Sequence, residues 1–320
     1  MSILNAANCG NTTNTGVNAC NLIPGRIVRA IAIPRGFVIP ASQTTDAATF
    51  AAALKAYTQA DTRASRFFLS PLLSEIDPQG GDTVNETRDN YELQVQQKPY
   101  NWGWKMTTSE LNICDYKNWY NLVNNQAGAF EFILIDDAGQ VWGRTATDAD
   151  DAEGSGGYTM IDIVVEGWKP KTGSALPEYM FRLKFLNNLQ LITQFSMVAA
   201  NVFPDNSWGL IGVTLTAAST ASTTTHVRFS GKMGCGASTL GGVYGDTLAD
   251  ADAFVITDNG TPITPASVAY NSTGDYYDAT VSTLTVGHTI RVLIAPPSEI
   301  TVAPFGANII SETAYSYVVA

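Results

Sequence analysis

Charge is scarce in this chain, and positive charge is the scarcest. Only 15% of the 320 residues are charged, whereas roughly a quarter are charged in an average protein. The 18 Lys and Arg residues are outnumbered by 29 Asp and Glu, so the net charge is −11. A protein that grips nucleic acid needs an excess of Lys and Arg to neutralise phosphates. The composition therefore excludes a basic nucleic-acid binder.

Cysteine and long apolar runs are also scarce. The four cysteines form no Cys-x-x-Cys pair, which excludes a disulfide scaffold: Cys9, Cys20, Cys114 and Cys235. No run approaches the roughly 18 apolar residues of a membrane helix. The start, Met1–Asn5, lacks the basic and then apolar pattern of a secretory signal. We therefore expect a protein that is made in a cytoplasm and has no membrane partner.

The residues that are abundant predict packed domains with a weakly charged surface. Apolar residues make up 45% of the chain and aromatic residues 10%, which excludes general disorder. Many of the remaining residues are Thr, Ser, Asn and Gly. A surface built from them is poorly protected against association, and this favours an assembly subunit.

Apolar periodicity predicts mainly β structure with one or two helices in residues 1–226. Residues 1–26 have no periodicity and predict an irregular arm, either loose or ordered by a neighbouring subunit. After the arm we expect a strand at 27–33, two long strands within 88–107 joined by a turn at 97–100, and a hairpin at 130–143. The first expected helix is Ala-rich, covers 46–57 and is capped by Asp46. The second covers 115–126, is capped by Asp115, and has Tyr116, Tyr120 and Val123 on one face.

A second domain is predicted at 227–320. The Thr- and Ser-rich stretch at 216–226 is typical of a linker or a strand edge. After it, short strands recur about every ten residues with turn signals between them, and no helical pattern is present. This spacing predicts an immunoglobulin-like β-sandwich, although the Cys and Trp signature of antibody domains is absent.

No group of residues predicts catalysis. His226 and His288 have no Cys or His at metal-ligand spacing, and no suitable base follows Gly234-Cys235-Gly236. The acidic loop at 148–153 is the best cation candidate, but it departs from the EF-hand pattern and also fits a solvated loop. We expect a protein that is not an enzyme, with no catalytic, cofactor-binding or metal-binding residues.

The order of these elements resembles the tail tube proteins of long-tailed bacteriophages. The arm, the strand at 27–33, the helix at 46–57, the strand pair at 88–107 and the hairpin at 130–143 carry the resemblance. It implies a β-sandwich or barrel-like domain that closes into hexameric rings, which stack into the virion's conduit for DNA ejection, with an immunoglobulin-like domain outside. It also implies assembly in the host bacterial cytoplasm, and tape measure, terminator and distal tail proteins as partners.

Two other functions stay open. Another virion component, such as a head decoration or connector protein, is the first, because the N-terminal domain is larger than that of many tube subunits. A surface adhesin or carbohydrate-binding protein would use exposed aromatic rings to stack on sugars, and core packing is the alternative role for these rings. The candidate aromatic residues are Trp102, Trp104, Tyr276 and Tyr277.

Overall fold

β-strands dominate the backbone of this protein, which confirms the predicted mainly β fold. The computed structural model describes residues 4–5, 25–79, 83–88, 91–96, 103–108, 113–124, 129–147, 153–174, 177–186, 190, 194–205, 208–234, 238–300 and 308–320. The chain divides into two compact units. The first comprises Met1–Thr58 and Ala64–Pro204, and the second comprises Gln59–Arg63 and Asp205–Ala320.

The first unit contains fourteen of the described strands and two of the described α-helices. Its strands are β1 (Leu4–Asn5), β2 (Ile27–Pro34), β3 (Val38–Ile39), β4 (Phe68–Leu69), β5 (Glu75–Gln79), β6 (Thr83–Arg88), β7 (Tyr91–Gln96), β8 (Gly103–Thr108), β9 (Phe130–Asp136), β10 (Gln140–Thr147), β11 (Glu153–Gly156), β12 (Tyr158–Val165), β13 (Tyr179–Phe185) and β14 (Phe195–Ala199). The helices are α1 (Ala47–Thr58) and α2 (Ile113–Val123), and a 3-10 turn covers Ala41–Thr44.

Strand pairing in the first unit follows a barrel-like series. β2 pairs with β9, β9 with β12, β12 with β13, β13 with β8, and β8 with β5. The segment that carries β4 and β5 connects the two ends of this series, because β4 pairs with β2 and β5 pairs with β8. The interior holds apolar side chains from several of these strands and from α2, including Phe132, Phe181 and Trp119.

Strand β9 is buried along its whole length. One edge of β9 pairs with β2 throughout. The other edge is shared, because β10 pairs with Leu134 and Ile135 while β12 pairs with Glu131 and Phe132. β10 then leaves β9 and pairs with β11. This divergence joins β11 to the sheet, and β14 pairs with the other edge of β10.

The glycine-rich segment at 153–156 is strand β11 and not the loop that its composition suggests. Gly154, Ser155 and Gly156 are buried between β10 and β3. A Cβ atom on Gly154 would lie 2.6 Å from the carbonyl oxygen of Ile39. The close approach of neighbouring backbones therefore explains glycine here, in spite of its low strand propensity.

The predicted helix at 46–57 is confirmed as α1, and its cap is the one expected. The Thr49 amide and hydroxyl both donate to the Asp46 carboxylate, at 2.9 and 2.6 Å. These bonds satisfy a backbone donor at the start of the helix and hold the pKa of Asp46 below its usual value. Phe50 and Leu54 are fully buried, as their spacing predicts.

The second predicted helix begins two residues early, the prediction of its cap was wrong, and its predicted face is only partly buried: Val123 is buried and Tyr116 packs against the core. The helix covers Ile113–Val123, so Asp115 lies inside it rather than at its cap. Trp119, Leu122 and Val123 are buried, whereas Tyr120 is 44% exposed. The larger indole ring occupies the core, and the buried stripe is rotated accordingly.

The second unit contains nine described strands in two sheets. They are β15 (Ile211–Ala217), β16 (His226–Met233), β17 (Phe254–Asp258), β18 (Thr261–Ile263), β19 (Ser267–Asn271), β20 (Tyr276–Thr280), β21 (Thr289–Ile294), β22 (Ile309–Thr313) and β23 (Tyr315–Val318). One sheet has the order β19-β20-β16-β15-β22, and the other has the order β18-β17-β21-β23. Both contribute to one apolar core.

This strand order matches the predicted immunoglobulin-like sandwich. β19, β20, β16 and β15 correspond to strands D, E, B and A of that fold, and the second sheet corresponds to C′, C, F and G. The predicted boundary at 226/227 was wrong, because strand A lies before it. Residues 216–226 end β15 and lead into β16, so they are the A–B connection and not a linker between domains.

The second unit also contains helical turns that the sequence did not predict. They cover Leu240–Tyr244, Gly245–Leu248 and Ala251–Ala253, between β16 and β17. Leu240 and Leu248 are buried in the core of the sandwich. A helix of five residues is too short for an apolar period to be recognised.

Adding a methyl group at Gly143 should destabilise the first unit. Its Cβ would lie 2.3 Å from the carbonyl oxygen of Gly156, so the diverging strands would have to move apart. We expect Gly143→Ala to lower the free energy of unfolding by about 1–3 kcal/mol. Denaturant titration measures this. Gly173→Ala is the control, because nothing lies within 4 Å of its added Cβ, and equal stability of the two variants would contradict the close approach.

The second unit should lose stability in alkali through Tyr277. This side chain is fully buried and its hydroxyl donates to the Gly245 carbonyl at 3.1 Å. Burial raises the pKa of Tyr277, so the folded unit keeps a proton that the unfolded chain loses above a pH of about 10. Stability should therefore fall as pH rises above that value.

Tyr277→Phe provides the comparison. We expect this variant to be less stable at neutral pH by about 1 kcal/mol, because one hydrogen bond is lost. Its loss of stability in alkali should be smaller than that of the unchanged protein, as measured by unfolding at stepped pH. Parallel stability curves above a pH of about 10 would show that Tyr277 does not contribute.

Candidate assembly surface

A two-stranded ribbon is the most distinctive feature of the first unit. β5 and β8 belong to the barrel-like sheet and pair from Glu75↔Thr107 to Gln79↔Gly103. β6 and β7 pair from Thr83↔Gln96 to Arg88↔Tyr91, and within the described residues they pair only with each other. One excursion of the chain therefore begins in the barrel sheet and continues into a separate pair of strands. We call β6 and β7 the ribbon.

The predicted pairing within 88–107 was wrong. β7 pairs with β6, and β8 pairs with β5 and β13, so the two predicted strands are not partners. Only Asp89 and Asn90 separate β6 from β7, and both residue types favour turns. The alternation of apolar and polar residues identified the strands correctly. The proline at 99 is the more conspicuous turn signal, and it led to the wrong prediction that the segment 97–100 joins two paired strands.

Register gives the ribbon two different faces. Directly opposed residues of an antiparallel pair share a face. One face carries three pairs, Val84↔Val95, Glu86↔Leu93 and Arg88↔Tyr91, whereas the other carries Thr83↔Gln96, Asn85↔Gln94 and Thr87↔Glu92. The first face is therefore mixed apolar and charged, and the second is wholly polar. A two-stranded hairpin alone is marginally stable in water, so the apolar face favours contact with another surface.

Charges of both signs lie on one face of the four strands β12, β13, β8 and β5. One row runs Val164, Arg182, Lys105 and Asp77, and in the next row Asp162 lies opposite Lys184. Arg182 also forms an ion pair with Glu166. Acidic residues thus occupy the outer strands and basic residues the inner two. This face is nearly balanced in charge, although the chain is acidic.

A buried carboxylate organises the hairpin between β9 and β10. Asp136 is fully buried and accepts hydrogen bonds from the amides of Ala138 and Gln140, at 3.0 and 2.8 Å. It also accepts from the indole Nε1 of Trp142 at 2.8 Å and from the amide of Gly25 at 3.2 Å. Because these four donors satisfy the carboxylate, its burial has a structural explanation and needs no catalytic one.

A second buried carboxylate lies where β10 and β12 share the edge of β9. Glu131 is 2% exposed and pairs with Arg144, whose Nη2 lies 3.1 Å from Oε2. The Thr159 hydroxyl donates to Glu131 at 3.3 Å, and the Thr159 amide donates to Gln190 at 2.8 Å. Sequence reasoning missed this network. An acidic residue within an otherwise apolar run, Phe130–Ile135, was the available signal.

Both histidines lie in the second unit, each beside an aspartate. His226 Nδ1 lies 2.9 Å from Asp278, which also accepts from Arg228 Nε at 2.8 Å. His288 Nδ1 lies 2.7 Å from Asp258. Across the described ranges, no three His, Cys, Asp or Glu side chains are grouped so as to hold a metal ion.

Two of the four aromatic residues suggested for sugar stacking, Tyr276 and Tyr277, are buried, so their predicted alternative role in core packing is confirmed. Trp104 lies in β8, and Trp102 lies outside the described residues. Among the residues whose side chains are described, the exposed large aromatic ones are Tyr120, Trp168 and Phe203, all in the first unit.

Several sequence candidates fall outside the part of the chain that the structure describes. The acidic loop is described only at Glu153, where β11 begins. Of Gly234-Cys235-Gly236, only Gly234 is described. In the arm at 1–26, the described residues are Leu4 and Asn5, which form β1, and Gly25 and Arg26. None of the described helices is long and apolar enough to cross a membrane.

Comparison with known proteins adds little to this picture. No family model matches the chain, and no curated protein matches it. Among solved structures, the N-terminal part of the bacterial S-layer protein SbsC aligns with 17% identity and a TM-score of 0.22. That alignment spans 34% of this chain and 23% of the other. At this TM-score the likeness carries no argument about fold or function.

Removing the Asp136 carboxylate should destabilise the hairpin that carries β9 and β10. Asp136→Ala leaves four donors without their acceptor, and we expect a loss of about 3 kcal/mol in the free energy of unfolding. The neighbouring Asp137 is exposed, so Asp137→Ala should change stability by less than about 0.5 kcal/mol. Denaturant titration compares them, and similar effects would contradict a special role for Asp136.

Proposed function

We propose that this protein is a structural virion subunit that forms stacked rings, the tail tube through which a long-tailed bacteriophage ejects DNA. The ribbon is the observation that carries the proposal. A pair of strands that leaves its own sheet, with apolar residues on one face, is suited to contact with a neighbouring subunit. The subunit itself is the main partner, in rings of six by resemblance to tail tube proteins.

The charge distribution supports a conduit. DNA that must slide cannot be held by clustered Lys and Arg. On one face of β12, β13, β8 and β5, each basic strand has an acidic strand beside it, so no broad positive patch forms there. We propose that DNA passes without specific binding, and that the protein has no catalytic role.

The two-unit organisation supports the remainder of the proposal. The barrel-like first unit would form the ring, and the immunoglobulin-like second unit would decorate its outside. Tape measure, terminator and distal tail proteins would contact the tube ends. The site of action would be the virion tail, after assembly in the host bacterial cytoplasm.

Negative-stain electron microscopy at rising protein concentration tests the proposal. We expect rings or cylinders with a central hole and knobs at the periphery. A monodisperse monomer at every concentration, also with tail partners added, would contradict it. Small particles that bind only to capsids would instead indicate a head decoration protein, and binding of glycans by the monomer would indicate an adhesin.

The apolar face of the ribbon should be needed for assembly. We expect Leu93→Ser combined with Val95→Ser to abolish rings, because both residues lie on the mixed apolar face. The matched control is Asn85→Ser combined with Gln94→Ser on the polar face, which should still assemble. Circular dichroism of each monomer checks that the fold is kept, and loss of assembly in both variants, or in neither, would contradict face-specific docking.

A further inference from the structure

One sheet of the second unit has a face that carries a single charge. In strands β18, β17, β21 and β23, residues such as Ile256, Ile290 and Val292 are buried in the core, and the residues that alternate with them lie on the opposite side of the sheet. We call the surface that these alternating residues form the Arg291 face. Its residues are Val255, Thr257, Pro262, Thr289, Arg291, Leu293, Ser316 and Val318. Among these eight described residues, Arg291 alone is charged.

Arg291 lies in the middle of this face. One row of register partners crosses all four strands and contains, in order, Pro262, Thr257, Arg291 and Ser316. The rows on either side of it contain only aliphatic residues and one threonine. The Arg291 side chain is exposed and, across the described ranges, forms no ion pair and no side-chain hydrogen bond. Its guanidinium group is therefore available to an anionic group of another molecule.

Acidic groups are kept away from the Arg291 face, although the surrounding sequence is acidic. Residues 229–320 contain eight acidic and two basic residues. The four strands contain one acidic residue, Asp258, which shares the side of Ile256 and lies 2.7 Å from His288. On the other sheet, Arg228 donates to Asp278 at 2.8 Å. Arg228 thus has a carboxylate partner within the unit, whereas Arg291 has none among the residues that the structure describes.

This composition is typical of the centre of a protein interface. Such centres are depleted in charged residues, and arginine is among the residues that contribute most to binding. A guanidinium forms two parallel hydrogen bonds with a carboxylate, and neighbours that exclude water strengthen them. The face therefore fits a partner surface that presents one carboxylate among uncharged side chains.

Two other classes of ligand fit this face less well. A polyanion such as nucleic acid is held by several cations, and this face has one. Sugar rings stack on exposed aromatic side chains. The aromatic residues of these strands, Phe254, Tyr315 and Tyr317, instead pack against the core.

We propose that the Arg291 face binds a different protein, one that places a single Asp or Glu among aliphatic and hydroxyl side chains. A symmetric contact between two copies of the face would bring two central Arg291 side chains together, and their like charges oppose that contact. The carboxylate of the partner pairs with Arg291, and the uncharged side chains around both groups exclude water. This binding does not require ring formation, so it goes beyond the proposed function.

Displayed peptides of defined charge test this recognition with the full chain. Yeast cells display two libraries of short peptides whose variable positions are limited to Val, Leu, Ile, Ser and Thr. The fixed central residue is Glu in one library and Gln in the other, so the only charge is the central carboxylate. Cells that bind the labelled protein are sorted, and the affinities of the selected peptides are measured by surface plasmon resonance.

We expect the protein to enrich peptides from the Glu library and not from the Gln library. Arg291→Gln should weaken their binding by about tenfold or more. Lys232→Gln is the matched control, because it removes the other cation of residues 229–320 from strand β16, and it should leave the affinity unchanged. Arg291→Glu should lose the selected peptide and bind its derivative with a central Lys, and this rescue shows that the variant is folded.

Three outcomes overturn the proposal. The first is no enrichment from the Glu library, or equal binding of its peptides by wild type and Arg291→Gln. The second is binding of polygalacturonate that Arg291→Gln abolishes, because the ligand would then be an acidic carbohydrate. The third is loss of rings in Arg291→Gln under electron microscopy, because the occupant of the face would then be another copy of the chain. Rings that form normally in this variant, with loss of the peptide, support the binding of a different protein.

Discussion

Strand β9 is the element on which the first unit depends. Every residue of it is buried, and it is paired along both edges with β2, β10 and β12. A strand in this position must satisfy all its backbone groups and fill space on both faces. That requirement explains the buried network around Glu131 and the four hydrogen bonds to Asp136, which lie near its two ends. It also explains Gly143, because only glycine allows β10 to leave β9 at that point.

Local signals in the sequence were sufficient where an element is defined by its own residues. The Asp46 cap and the spacing of Phe50 and Leu54 predicted α1, and the turn after Asp136 predicted the hairpin of β9 and β10. The mainly β fold followed from the same kind of pattern. Long-range pairing could not be predicted in this way. Nothing in residues 211–217 indicates that they pair with 226–233. The predicted start of the second domain, at 227, therefore left out its first strand.

The candidate assembly surface was only partly predictable, for the same reason. Alternation in Tyr91–Gln96 showed which residues share a face of that strand. It did not show that the partner is Thr83–Arg88, and the partner decides that Val84 joins Val95 on the mixed face. Strand β11 was missed because its glycines oppose strand propensity and are retained for close backbone approach.

A low content of charged residues and a ribbon with one mixed apolar face support a single account, in which the chain associates with copies of itself. Hydrogen exchange of backbone amides tests this account most directly, by comparing dilute protein with concentrated protein. The account predicts that amides of Thr83–Gln96 exchange rapidly in the dilute monomer and become protected on assembly, while those of β9 are protected in both. Equal exchange of the ribbon at both concentrations would contradict it.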